Sequence, residues 1–201
     1  MTTKHFIAVV LLGMMLHLLS CSPKVITEKY YFQNESILDS MEESYKAMTQ
    51  HRTFALAFTD KQFSIISVEI NTDSLRYIYE FNVGETRLAD TLTKYHLNPP
   101  KVIALIHQMQ RIHCAWINNF DYYVDEKKNS TIFVSIKPVL FNGPHKYKKY
   151  YILTYFSQPQ YFDSNGVLLD KRETRRIRKI NGEIFHRIND RVCYTISESY
   201  R

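Results

Sequence analysis

Three cysteines, five glycines, six prolines and one tryptophan are all that this 201-residue chain holds of those types. Three thiols cannot staple a disulfide-rich miniature scaffold. So little glycine and proline excludes collagen-like and low-complexity chains. A 45% hydrophobic content excludes disorder. Also missing are a Gly-rich phosphate loop, a Gly-x-Ser-x-Gly elbow, a Ser-x-x-Lys signature, a His-Glu-x-x-His pair and any Cys-x-x-Cys. No metal or other cofactor is therefore expected. What is present is a globular composition, with ample length to bury a core.

The first twenty residues read as an address. Lys4 and His5 precede an apolar run from Phe6 to Leu19, interrupted by Gly13 and His17. Such a run rises about 21 Å as a helix, short of the ~30 Å hydrocarbon core, so a signal peptide over 1–20 fits better than a membrane span. Leu18-Leu19-Ser20-Cys21 resembles the lipobox of bacterial lipoproteins, in which a small residue precedes a cysteine that is lipidated and becomes N-terminal. The resemblance implies a lipid anchor on Cys21, with two or three acyl chains for stable attachment. Ser22 after the cysteine implies transfer to the outer membrane. The lack of an acidic run there implies the periplasmic face.

Charge divides the rest unevenly. Residues 21–136 hold 12 basic and 14 acidic side chains, whereas 137–201 hold 13 and 6. No Pro/Gly/Ser-rich linker separates them, so the expectation is a short tether over 21–35 and one domain over 36–201 with basic C-terminal strands. Ile37, Leu38, Met41, Tyr45 and Met48 keep helical spacing, with Asn34 or Ser36 as a cap. Phe54–Phe58, Phe63–Ile70 and the alternation Leu75, Tyr77, Tyr79, Phe81 predict an antiparallel meander. Leu88, Leu92 and Tyr95 predict a short helix. Asn98-Pro99-Pro100 opens a stronger one, with Val102, Leu105, Ile106, Met109, Ile112, His113 and Trp116 as its buried stripe.

Strand patterns follow over Phe120–Glu126, Thr131–Val139, Tyr147–Phe156 and Val192–Ser197, with Lys127-Lys128-Asn129-Ser130 as a polar tip. Asp163-Ser164-Asn165-Gly166 is a turn. Asn181-Gly182 between Arg175–Ile180 and Glu183–Ile188 is a strong hairpin signal, although Ile177, Ile180, Ile184 and Ile188 also fit a helix. The predicted class is α+β, antiparallel sheet meanders packed with an N-terminal and a central helix. Ser135-Ile136-Lys137-Pro138, the Tyr-rich strand after it and Lys179–Ile184 resemble the C-terminal part of small Bacteroidota lipoproteins. That likeness covers about a third of the chain and bears on setting and fold, not on activity.

Candidate sites are few. In a two-residue hairpin, Arg178 would face Phe185 and Arg176 would face Arg187, so three arginines would crowd one surface. Like charges directly opposite destabilise a strand pair unless compensated. An anionic envelope component, a lipid phosphate or a peptidoglycan carboxylate, would compensate Arg176, Arg178 and Arg187. A solvated edge face is the plainer reading. Tyr147, Tyr150, Tyr151, Tyr155 and Tyr161 suit sheet packing better than sugar stacking. Asp121 and Asp125, with Tyr123 between them, would lie about 13 Å apart on a strand, beyond the ~5–9.5 Å of glycoside hydrolase pairs. Glu42-Glu43 reads as solvated charge. His107 and His113 point about 240° apart on a helix and cannot share a metal. Cys114 and Cys193 are a candidate disulfide pair in an oxidising compartment. The reading reached is a non-enzymatic envelope lipoprotein with a binding or assembly role, in contact with membrane and not with nucleic acid. An envelope hydrolase with a site assembled from distant residues is the alternative.

Overall fold

The N-terminal helix is longer than its apolar spacing predicts. In the computed structural model, which describes residues 23–50, 52–124, 127–141, 147–171 and 176–197, helix α1 spans Pro23–Thr49. The signal peptide and Cys21 lie outside the described residues. The expected tether is helical from Pro23 onward, and Asn34 and Ser36 sit mid-helix instead of capping it. The cause is a stripe the letters disguise. Thr27 and Tyr31 are buried like Leu38, Met41, Tyr45 and Met48, carrying the three-and-four spacing two turns further back. Proline is tolerated in a first helical turn.

Three antiparallel strands follow, β1 (Phe54–Phe58), β2 (Ile65–Asn71) and β3 (Arg76–Asn82). Two helices, α2 (Thr86–Lys94) and α3 (Pro99–Arg111), carry the chain back across the sheet. It re-enters as β4 (Trp116–Val124) against β1, then β5 (Lys127–Phe141) and β6 (Tyr147–Phe156). Short strands β7 (Tyr161–Phe162), β8 (Leu168–Leu169), β9 (Lys179–Ile180), β10 (Glu183–Ile184) and β11 (His186–Arg187) precede β12 (Val192–Ser197). Eight strands form one antiparallel sheet in the order β11-β12-β6-β5-β4-β1-β2-β3. The α+β class read from the sequence is the class observed. Several boundaries differ: β2 begins at Ile65, β4 begins at Trp116, Lys127–Ser130 belong to β5 and not to a tip, and α3 stops before Ile112.

How α2 and α3 stop reflects the shortage of glycine. Each ends in a Schellman arrangement whose left-handed position is filled by histidine, His96 at φ 59° and His113 at φ 54°. The amide N–H of Leu97 donates to Leu92 O at 2.9 Å, and that of Cys114 to Met109 O at 2.8 Å, closing both turns. The turn at His113 sends Trp116 into β4, so neither is part of a helical stripe, and His113 is exposed. Left-handed backbone costs a non-glycine residue about 1–2 kcal/mol. Exposed His96 replaced by Gly should therefore raise stability, by up to about 1 kcal/mol after the entropic cost of glycine, read as a higher denaturant midpoint at constant slope.

Alternation along each strand builds two cores. Phe54, Leu56, Ile66, Val68, Ile117, Val134, Leu153 and Tyr194 face the helices, where they meet Leu38, Met41, Leu92 and Leu105. Tyr30 Oη donates to Ile112 O at 2.8 Å, and Gln108 Nε2 to Ser40 Oγ at 3.1 Å, tying α1 to α3. On the opposite face Trp116, Phe133, Ile152, Phe156 and Cys193 are covered by Leu168 and Phe185 from the excursion between β6 and β12. The same face of β1–β3 carries half-buried Ser67 and Glu69 and exposed Ile78 and Glu80.

Candidate functional site

The Asn181-Gly182 turn forms as expected, with φ of 52° and 82° and Ile180 opposite Glu183. The longer hairpin does not. Past the first two pairs its arms part, and each bonds instead to residues 166–170. Leu168 N–H donates to Phe185 O, and Arg178 N–H donates to Leu168 O, both at 2.9 Å. Val167 pairs with His186 and Leu169 with Ile177. Arg178 therefore does not face Phe185, and Arg176 and Arg187 bond to opposite ends of that segment, Asp170 N–H donating to Arg176 O and Arg187 N–H to Gly166 O. Ile177 and Ile184 are 45% and 38% exposed.

The arginines have separate fates. Arg187 pairs with Asp190 at 2.6 Å and lies 5.4 Å from the Phe162 ring centroid. Arg178 donates to Gln160 Oε1 at 3.1 Å and lies 5.7 Å from the Phe156 ring centroid. Arg176 is exposed. The direct opposition of Arg176 and Arg187 that a continued hairpin would impose does not form.

The two thiols do not pair. Cys114 and Cys193 are free and buried, the first in the core under the helices and the second in the core on the opposite face of the sheet. Burial pushes the Cys114 thiol up to about 12, against a weaker lowering by the Trp116 backbone. Burial likewise takes Cys193 to about 12, opposed by the nearby charges of Arg178 and Arg187.

The other candidates settle into structural roles or fall outside view. Tyr151, Tyr155 and Phe156 are buried and Tyr150 is half-buried in the sheet, while Tyr161 is 51% exposed. The side chains of Asp121, Tyr123, Asp125 and Tyr147 lie outside the described residues. Glu42 is not a solvated charge: it is buried and accepts from Arg191 Nη2 at 3.4 Å, while Glu43 is exposed. His107 and His113 are exposed, and among the described residues no cluster of three His, Cys, Asp or Glu side chains forms.

A groove that no single stretch of sequence announces lies where α1 begins. It encloses about 470 Å³ between Lys24, Gly182, Ile184, His186, Tyr194 and Ile196. Thr195 Oγ1 donates to Ile184 O at 2.8 Å and Ser197 Oγ donates to Glu183 Oε1 at 3.0 Å, fixing the hairpin onto β12. The His186 ring stacks on Tyr194 with centroids 5.3 Å apart. Lys24 Nζ lies 3.8 Å from Glu28 on the next turn. Burial raises the Tyr194 phenol, and the Glu28 carboxylate adds to it. The lining offers one ammonium group from Lys24, one carboxylate from Glu183, a stacked aromatic pair and isoleucine side chains, so it is polar at one end and apolar along its length.

The start of α1 has a second feature. Val25, Ile26 and Phe32 are 44%, 40% and 61% exposed. With exposed Lys29 they form an outward stripe opposite Thr27 and Tyr31. The spacing was readable, but only the burial of Thr27 and Tyr31 shows which way it points. No protein-family model, curated protein or solved structure matches the chain at a significant level.

Proposed function

We propose that the chain is a lipoprotein anchored through Cys21 at the periplasmic face of the outer membrane, where it binds an envelope component and turns nothing over. The observation that carries this reading is the position of the first helical turn. Only Ser22 separates Cys21 from Pro23, where α1 begins. Fully extended, those two steps reach about 7 Å, so acyl chains on Cys21 would hold Val25 and Ile26 at the bilayer interface. Exposed apolar side chains near lysines suit that interface. The groove between Lys24 and the Gly182–Ile184 tip would then open beside the headgroups, within reach of a lipid phosphate.

Cys21→Ser should move the protein from the membrane pellet to the soluble fraction, or leave it as an unprocessed precursor. Processed protein that stays in the pellet would overturn the anchor. In the Cys21→Ser background, replacing Val25, Ile26 and Phe32 together with Ser should weaken co-sedimentation with anionic phospholipid vesicles at low salt about tenfold. Even partial burial of three such side chains is worth more than the roughly 1.4 kcal/mol behind a tenfold change. Equal co-sedimentation with and without the stripe would remove its role in docking.

A further inference from the structure

The long open edge of the sheet has a pattern that is charge-complementary to its own reverse. Among the described residues nothing pairs with the outer side of β3. Its hydrogen-bond phase is fixed at both ends. Thr72 N–H donates to Leu75 O and Val83 N–H donates to Ser64 O, both at 2.8 Å. Alternation in an antiparallel ladder then spends the backbone groups of Tyr77, Tyr79 and Phe81 on β2. Those of Arg76, Ile78 and Glu80 point outward. Ile78 is 61% exposed and Leu75 is 58% exposed. Folded proteins usually blunt such an edge with a proline, a bulge or a very short strand. None of these interrupts β3, whose seven residues pair with β2 without a register shift.

We propose that β3 pairs with β3 of a second copy, antiparallel and centred on Ile78, joining two eight-stranded sheets across a two-fold axis. In that register Ile78 faces Ile78 of the second copy. Arg76 faces Glu80 of the second copy and Glu80 faces its Arg76, so both charge pairs are complementary. Residues directly opposite share one face of the sheet, so these pairs meet. Arg76 already holds Glu69 on the neighbouring strand, and the incoming Glu80 takes the other side of its guanidinium fork. On the helix face Tyr77 falls opposite Tyr79 of the second copy. Tyr77 and Tyr79 already stack at 6.3 Å, and Tyr79 Oη lies 2.6 Å from Tyr95 Oη, which places their rings in advance. The three outward residues exchange all their backbone groups, giving six new hydrogen bonds. A shift of one residue would set side chains against backbone phases that do not match.

An edge pairing of this length buries little area and belongs with small, weak interfaces. Confinement of two copies to one membrane raises their effective concentration and compensates. The proposal does not depend on the anchor, because the edge and its charge pattern are there without it.

In-cell oxidative cross-linking of the full chain tests it. Directly opposite residues in a hydrogen-bonded antiparallel pair have Cα atoms about 5.5 Å apart, within disulfide reach. Ile78→Cys should therefore give a covalent dimer on a non-reducing gel. Leu75→Cys, equally exposed but off the axis, should not. In the Ile78→Cys background, Glu80→Arg sets arginine against Arg76 and should lower the dimer yield about tenfold. Co-expression with a chain carrying Arg76→Glu and Ile78→Cys should restore the yield, because the mixed pair has every charge matched. An Ile78→Cys chain whose new thiol takes maleimide freely but forms no dimer would overturn the proposal. So would equal cross-linking at positions 75 and 78, or charge variants without effect.

Discussion

Raising the pH above about 8.5 should destabilise this protein progressively, with stability falling by roughly 2.7 kcal/mol per pH unit near pH 10. The slope comes from two thiols buried on opposite faces of one sheet. Unfolded, each loses its proton near pH 8.5. Folded, burial holds both up to about 12. Near pH 10 the folded state thus carries about one more proton per thiol than the unfolded state, worth some 1.4 kcal/mol per pH unit each. The sign follows: a raised folded value gives stability that is complete below the unfolded value and is lost as pH climbs toward the folded one. Tyrosines join later. Burial raises Tyr30 and Tyr155 well above their usual range, so they add to the loss only from about pH 10 upward.

Urea denaturation at a series of pH values measures the slope. Replacing Cys114 and Cys193 with Ala should flatten it between about pH 8.5 and 10 while leaving the tyrosine part above. A slope unchanged by the double variant would mean that the thiols ionise as readily folded as unfolded. Thiol reagents give a second view. Both cysteines should stay unreactive in the native protein at pH 8 and react together once denaturant opens the fold.

These thiols also mark where reading the sequence succeeds and where it stops. The spacing of Val102, Leu105, Ile106 and Met109 finds α3, and Asn98 caps it as the Asn-Pro-Pro run predicts, accepting from Lys101 N–H at 3.1 Å. But Ile112, His113 and Trp116 continue the same spacing, so periodicity alone runs past the end of the helix. The signal that stops it is a backbone turn at His113, in a conformation usually left to glycine. Cys114 is thereby turned into the core under the helices, while Cys193 takes the opposite face by simple strand alternation. Sequence could propose their pairing but not see the sheet between them.

The candidate site was less legible than the fold, for a physical reason. Strand β12 and the Asn181-Gly182 turn are local events, and both lie where the pattern puts them. The crowd of arginines assumed that a hairpin, once turned, keeps its arms together. Beyond their first two pairs the arms bond to residues 166–170 instead of to each other. The groove joins Lys24 to residues some 160–170 positions later, and no local pattern carries such a contact. The symmetry of β3 was readable as letters: Arg, Tyr, Ile, Tyr, Glu. What it lacked was the knowledge that β3 is an edge.

Phe185→Ala should cost about 3–5 kcal/mol, a large share of a total near 5–15, and should report its own location. Phe185 is fully buried, packed with Leu168 over Trp116, Phe133, Ile152, Phe156 and Cys193. It comes from the excursion between β6 and β12, whose short strands pair two residues at a time. Such pairs supply little stability alone, so the buried side chains of Phe185 and Leu168 add the main apolar attachment to the hydrogen bonds that join this layer to β12. Trp116, the only tryptophan in the chain, lies beneath it, 8% exposed. Truncating Phe185 should therefore red-shift Trp116 fluorescence before the rest of the fold yields. Leu38→Ala makes the control. Leu38 is equally buried but belongs to α1, in the core on the other face, and its loss should cost a comparable ~2–5 kcal/mol while leaving the native emission unchanged. Fluorescence and far-UV circular dichroism should thus part during urea unfolding of the Phe185 variant and coincide for the Leu38 variant. Coincident curves in both would mean that the two faces melt as one unit, and that the layer over Trp116 draws its stability from more than its buried phenylalanine.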